Sequence, residues 1–409
     1  MVTAINDDLF ASDVIADPYT YFGRLREEDP VHWNEKYELW VITRYDDLVW
    51  LTRHHELFSS EVFKRDPRGP YPAIDESDLD LYNTFVRPYQ SARFIQHDRP
   101  EHLEERMVVH GYFTPKSAEQ WRPLIQSAIK ELLDEAEEKG RMDVMADFAT
   151  PLPVLVIAQI MGIPFQDRLF IRELAKKSLF LNRGERDRVQ TFAEGVKEMM
   201  GYVSPLLDER VISPKDDLLS VLAEAEKRGV YNREETLSNA LLLLVAGHET
   251  TINLICNGIL SFIRHPEQWE LLKEDPAGRT VRATEECLRY DSPVKSIQRI
   301  ATQDVELRGK VIHQADRVRW FITSANRDPE VFPEPERFDI ERYPNPHVAF
   351  GSGIHHCLGA YLARMEGQEA LKALGERFPS LRVEVAEPEL EYVPSMNFRS
   401  LKSLPVSWN

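Results

Sequence analysis

A single cysteine, Cys357, sits within Ala349–Arg364, AFGSGIHHCLGAYLAR, where a thiol could do chemistry. Gly351 and Gly353 precede it and Gly359 follows, so the backbone can approach a bulky flat ligand without Cβ clashes. The next residues, LGAYLARMEGQEALKAL, are helical in composition. Cys357 is therefore expected at a helix N-terminus, where unpaired N–H groups stabilise a thiolate as nucleophile or metal ligand. A nucleophile needs a positioned base, and His355 and His356 are near in sequence. Zinc could use the same histidines but lacks the usual spaced second ligand pair. The ordinary role of a lone cysteine is that of a small buried residue.

A second polar group interrupts an apolar run. In NALLLLVAGHETTINLICNGIL, Gly247, His248, Glu249, Thr250 and Thr251 break a segment that is apolar on most sides. Polar groups midway along a buried helix need partners, and Gly with Thr can loosen the backbone ladder, so a pocket is expected here. His248-Glu249 does not complete a metalloprotease HExxH, because Ile252 occupies the last position.

Long elements must position these groups. Asn232 with Glu235 gives a helix cap, and the helix can run to about Arg264, ahead of His265-Pro266. At roughly 1.5 Å per residue it would span about 50 Å. Val31 to Trp33 and Leu39 to Thr43 read as short strands, and from about Ser117 the pattern becomes mostly helical. Ile129, Leu132, Leu133 and Ala136 recur at helical spacing, with Gly140 as the stop. Lys64–Pro72 and Pro329–Pro346 read as irregular passages. The expectation is one mainly α domain over residues 1–409 with a small β-rich lobe.

The chain of 409 residues carries a formal charge of −18, which argues against a general nucleic-acid binder. No stretch approaches the roughly 20 uninterrupted apolar residues of a membrane span. The acidic N-terminus lacks a signal pattern, so a cytoplasmic protein without membrane insertion is expected. Cys256, Cys287 and Cys357 are odd in number and form no CxxC pair, which fits a reducing compartment.

Five segments together resemble the cytochrome P450 haem-thiolate enzymes. Phe350, Gly353, Cys357 and Gly359 match the signature FxxGxxxCxG, and Ala246–Thr251 is similar to the central-helix oxygen-activation motif. Glu286 and Arg289 match ExxR, Pro335–Phe338 fits the loop motif that follows it, and His102 with Arg106 matches HxxxR. The resemblance implies the P450 fold, with the β-rich lobe mainly within 18–60 and near 294–325 and 380–409. It also implies haem b with Cys357 as proximal iron ligand, and a thiolate in that place favours O–O cleavage.

The remaining roles follow from the same resemblance. Phe350, Gly351, Gly353 and Gly359 would shield the sulfur and supply backbone donors. His102, Arg106, Arg299 and His355 would hold the propionates, although Glu101, Glu104 and Glu105 offer Arg106 an ordinary surface ion pair. Glu249 and Thr250 would deliver protons to bound dioxygen, while His248, Thr251 and His356 have no separate task. Glu286, Arg289 and Arg337 would form a buried charge network bracing the cysteine loop.

Substrate contacts are expected from Tyr82–Phe94, the region of Phe180, Leu243, Leu244, Ala246, Gly247, Val294, Ile297, Met396 and Phe398, largely apolar positions. Arg93 or Lys295 could meet a carboxylate, but each ordinarily reads as solvated. The reaction implied is insertion of one oxygen atom from dioxygen into an apolar small molecule, with electrons from a separate ferredoxin or flavodoxin and its reductase. Arg364 and Lys372 are candidates for a basic patch facing that partner. A peroxide-driven peroxygenase and a non-catalytic haem sensor are the alternatives.

Overall fold

The longest helix starts where its capping residues stand. Asn232 Oδ1 accepts from the Glu235 N–H at 3.0 Å, and the Glu235 carboxylate accepts from the Asn232 N–H at 2.8 Å. The computed structural model describes residues 5–66, 68, 73–177, 187–378, 380–386 and 389–408. The helices that frame the site are α1 (Glu101–His110), α2 (Arg122–Lys139), α3 (Pro151–Met161), α4 (Arg233–Arg264), α5 (Pro276–Tyr290) and α6 (Ala360–Arg377). Gly140 ends α2 in the left-handed conformation, with φ +69°, as its sequence position predicts.

Helix α4 is apolar because it runs through the core. It packs on α3, α5 and α6, and Leu241 to Leu244 and Ile252 to Ile255 are buried. The two most apolar helical stretches, Val144–Met161 and Arg233–Arg264, lie mostly inside the molecule. A Cβ on Gly247 would stand 2.8 Å from Ile157 Cγ1, so this glycine lets α3 and α4 touch. The expected loosening of the ladder is absent, and α4 stays helical through Thr251.

The strands are β1 (Val31–Asn34), β2 (Leu39–Ile42), β3 (Phe58–Ser59), β4 (Arg141–Asp143), β5 (Ser296–Ala301), β6 (Val305–Leu307), β7 (Lys310–Ile312), β8 (Arg317–Phe321), β9 (Arg382–Val383) and β10 (Pro405–Ser407). Five form one sheet in the order β1-β2-β8-β5-β3, parallel only between β2 and β8. Registers such as Leu39↔Arg317 and Ser296↔Phe321 fix which side chains of β5 and β8 face the helices. Strands β2 and β8 are buried throughout, as their aromatic and β-branched content favours. A second core of Trp40, Phe58, Val318 and Trp320 lies against this sheet. Strands β4, β10 and β9 make a separate small sheet, and β6 pairs with β7.

Residues 329–346 contain neither helix nor strand. Arg289 of α5 holds this passage through the carbonyls of Pro335 and Arg337.

Candidate functional site

The loop before α6, the middle of α4, strands β5 and β8 and residues 396–398 enclose a cavity of about 520 Å³. Cys357, Phe350, Gly351 and Gly359 line it, and so do Ala246, Gly247, Glu249 and Thr250. The Cys357 N–H donates to Phe350 O at 2.9 Å and Gly351 N–H to Val348 O at 2.8 Å, which closes the loop around the cysteine. The thiol faces the cavity. Burial pushes its pKa up, while the Gly359 N–H and the charges of Arg106 and Arg364 pull it down. Helix α6 begins at Ala360 with Gly359 as its N-cap, so Cys357 precedes the helix instead of opening it.

Gly353 departs from its expected role. It does not line the cavity; its φ is +70° and a Cβ there would stand 2.3 Å from the Thr52 carbonyl oxygen. The loop therefore needs glycine at 353 for its own packing against Thr52, whereas Gly351, also at φ +70°, faces the cavity.

Four basic side chains gather beside the cysteine loop. The His102 and His355 rings lie 4.0 Å apart, and both carry the repulsion of Arg106 and Arg299. Burial, then these charges, lowers the His102 pKa to about 4; the same causes push His355 far down. Burial lowers Arg299 to about 10, with Asp98 as its opposing charge. His102 is 1 % exposed, and neither ring nitrogen has a hydrogen-bond partner among the described residues. It lies outside the cavity lining, against His355, which in turn bonds Ser60 Oγ at 2.8 Å.

Arg106 makes none of the ion pairs its acidic neighbours offered. It donates to His356 O at 2.7 Å, and Glu105 bonds His97 instead. This cluster suits a ligand with two negative groups, and the cavity-facing thiol supplies one soft donor. Among the described residues no three His, Cys, Asp or Glu side chains are grouped to hold a metal ion, which suits a metal that arrives with a macrocycle and takes one thiol from the protein. On these grounds the site fits haem.

On α4, Thr250 Oγ1 lies 3.4 Å from Ala246 O, a weak back-bond that leaves the hydroxyl able to turn into the cavity. Glu249 Oε1 accepts from Ser400 Oγ at 3.4 Å. His248 is buried and bonded to Leu244 O at 2.7 Å.

The brace behind the loop differs from expectation in one member. Glu286 and Arg289 form a fully buried pair, but the Arg337 side chain is 58 % exposed and lies near Glu334 and Asp339. Arg342 takes the expected place, with Nε 3.3 Å from Glu286 Oε1 and 9 % exposure. Arg337 contributes only its carbonyl, which accepts from Arg289 at 3.0 Å. Arg289 also donates to Asn326 O, and Asn326 Oδ1 accepts from the Val348 N–H at 2.8 Å, which couples the pair to the cysteine loop.

Of the expected substrate positions, Phe94, Leu243, Val294, Ile297, Met396 and Phe398 line the cavity with Ala246 and Gly247. Leu244 does not; it is 1 % exposed and packed in the core on another face of α4. Phe180 lies outside the described residues. Lys295 is buried, not solvated, and donates to Ser395 O at 2.9 Å. Arg364 is held by Glu285 at 2.8 and 3.0 Å and stacks on Phe350, so it offers little free charge to a partner.

Sequence reasoning missed Glu366 and Arg319, both cavity-lining. Glu366 shares a buried helical face with Leu362, Glu369 and Ala370, and that periodicity marked it. Arg319 follows from the alternation of β8, which the sequence alone did not assign to a cavity wall.

Comparison with known proteins agrees with this geometry. The family model "Cytochrome P450" matches residues 280–396. The polyketide biosynthesis cytochrome P450 PksS of Bacillus subtilis (strain 168) is 37 % identical over 400 residues, covering 96 % of each chain. The CalO2 crystal structure superposes with a TM-score of 0.90 at 31 % identity, covering 99 % of each chain. P450BioI in complex with an acyl carrier protein ligated to hexadec-9Z-enoic acid superposes with a TM-score of 0.87 at 34 % identity, covering 97 % of this chain and 100 % of that one.

Proposed function

The chain belongs to the cytochrome P450 family, and from that premise we propose that it inserts one oxygen atom from dioxygen into an apolar small organic molecule, with electrons from a separate ferredoxin or flavodoxin and its reductase. It is a monooxygenase-family oxidoreductase whose family cofactor is thiolate-ligated haem b. The observation that carries the proposal is that Cys357, the acid–alcohol pair Glu249 and Thr250, and an apolar lining all face one cavity.

Haem, when bound, supplies the dioxygen-activating chemistry, which thiolate ligation turns toward O–O cleavage. Cys357 would hold the iron, with the Gly359 N–H and Arg106 favouring the charged sulfur. Arg299, Arg106 and His355 would bind the two propionates, with His102 packed behind His355. Thr250 Oγ1 would present a proton to the cavity, and Glu249, reached by the Ser400 hydroxyl, would replenish it. Phe94, Leu243, Val294, Ile297, Met396 and Phe398 would exclude water and hold the apolar body of the substrate.

The unpaired cysteines fit a reducing compartment, and we place the protein in the cytoplasm. Purified protein with a ferredoxin, its reductase and NADH provides the test. Substrate-dependent NADH consumption matched by oxygenated product supports the reading. Equal rates with hydrogen peroxide alone would make it a peroxygenase, and binding without turnover would make it a sensor.

A further inference from the structure

Arg93 is a cavity-lining cation with no anionic partner among the described residues. Its Nε donates to Gln90 O at 3.2 Å and its guanidinium carbon stands 5.6 Å from the Tyr89 ring centre. The terminal nitrogens donate to no described residue, and no described carboxylate pairs with it. Arginine does not deprotonate in a protein, so this positive charge stays in a largely apolar chamber and is best compensated by a carried-in anion.

The basic residues expected at the cofactor form a group of their own. Arg106 and Arg299 both act on His102 and His355, which makes these four one group, whereas Arg93 lies over the ring of the uncharged Tyr89. Two propionates find Arg106, Arg299 and His355 on the cavity wall, and Arg93 is left over. Its backbone is also fixed: the neighbouring Phe94 N–H donates to Asn239 Oδ1 at 2.9 Å, and Asn239 is fully buried on α4. Around it the cavity is mixed, with Tyr82, Tyr89, Gln90 and Gln96 beside Phe94 and Phe192. Gln90 Oε1 is buried without a hydrogen-bond partner among the described residues.

We infer that Arg93 receives the free carboxylate of the substrate, which is therefore an apolar acid; the inference rests on the monooxygenase reading above. The planar guanidinium presents two parallel donors that match a carboxylate, and the apolar lining takes the hydrocarbon. A carrier-bound acyl thioester has no such group, so this site distinguishes a free acid from a tethered one.

The test titrates haem-loaded protein with dodecanoic acid, abietic acid and their methyl esters, following the Soret shift and binding heat. At least one acid is expected to bind roughly 10- to 100-fold tighter than its ester, the range of a hydrogen-bonded charge. Arg93→Met should abolish that preference and Arg93→Lys retain part of it. Equal binding of acids and esters by the unaltered protein overturns the inference, and so does a preference that survives in Arg93→Met. Reduced haem content in Arg93→Met and Arg93→Lys alike also overturns it, because Arg93 would then serve the cofactor. Carbon monoxide spectra of the same preparations report independently on the monooxygenase reading: loss of the thiolate-type band in the unaltered protein would sink that reading, not this one alone.

Discussion

Glu286 and Arg289 meet through two hydrogen bonds of 2.8 Å with no solvent reaching either side chain. Glu286 further accepts from the Asp339 N–H at 2.9 Å, Arg342 at 3.3 Å and Asn345 at 3.2 Å. Removing one partner of such a pair strands the other charge, at a cost of about 3–5 kcal/mol. Glu286→Ala should therefore lower the haem-to-protein ratio and the thermal midpoint together. Full haem loading in that variant would contradict the brace.

Two glycines of one loop should respond differently. At Gly353 a Cβ would collide with the Thr52 carbonyl at 2.3 Å in a left-handed backbone, whereas nothing lies within 4 Å of one at Gly359. Gly353→Ala is expected to destabilise by about 1–3 kcal/mol or more, and Gly359→Ala by much less. Thermal midpoints of both variants decide the matter, and equal losses would be inconsistent with this loop geometry.

Thr250→Ala tests the proton route. NADH consumption should persist while product falls and hydrogen peroxide appears, with product formation down by up to roughly 10²-fold. Unchanged coupling of NADH to product would remove Thr250 from the route.

Glu366 gives the fold a pH dependence. Burial raises its carboxyl to about 8 against the opposing Thr251 hydroxyl, and among the described residues neither carboxyl oxygen has a hydrogen-bond partner of normal geometry. A carboxyl with a raised folded-state pKa favours folding below the unfolded value of 4.5, and that contribution is lost as pH climbs toward 8. Stability should decline across this window by as much as about 1.4 kcal/mol per pH unit from this group. Glu366→Gln should flatten the decline, as read from unfolding midpoints at pH 5, 6, 7 and 8. Parallel curves would show that Glu366 is ionised throughout.

The sequence made local features legible and left meeting points obscure. Asn232 with Glu235, and Gly140, fixed helix ends because their signals act within a few residues. The cysteine loop was readable because its spacing is nearly continuous. The expectation of Arg337 in the brace went wrong because residues 329–346 lack any period, and only their path decides which guanidinium reaches Glu286. Leu244 was misplaced for the opposite reason: α4 is apolar on most sides, so composition cannot say which leucine meets the cavity.

Whether Cys357 holds the iron can be read from the visible spectrum of the reduced protein. Dithionite-reduced protein is compared with and without carbon monoxide, for the unaltered chain and Cys357→His. With Cys357 as the ligand, the unaltered protein shows a strongly red-shifted Soret band that disappears in the variant. An identical band in both, or no haem band in either, would contradict it.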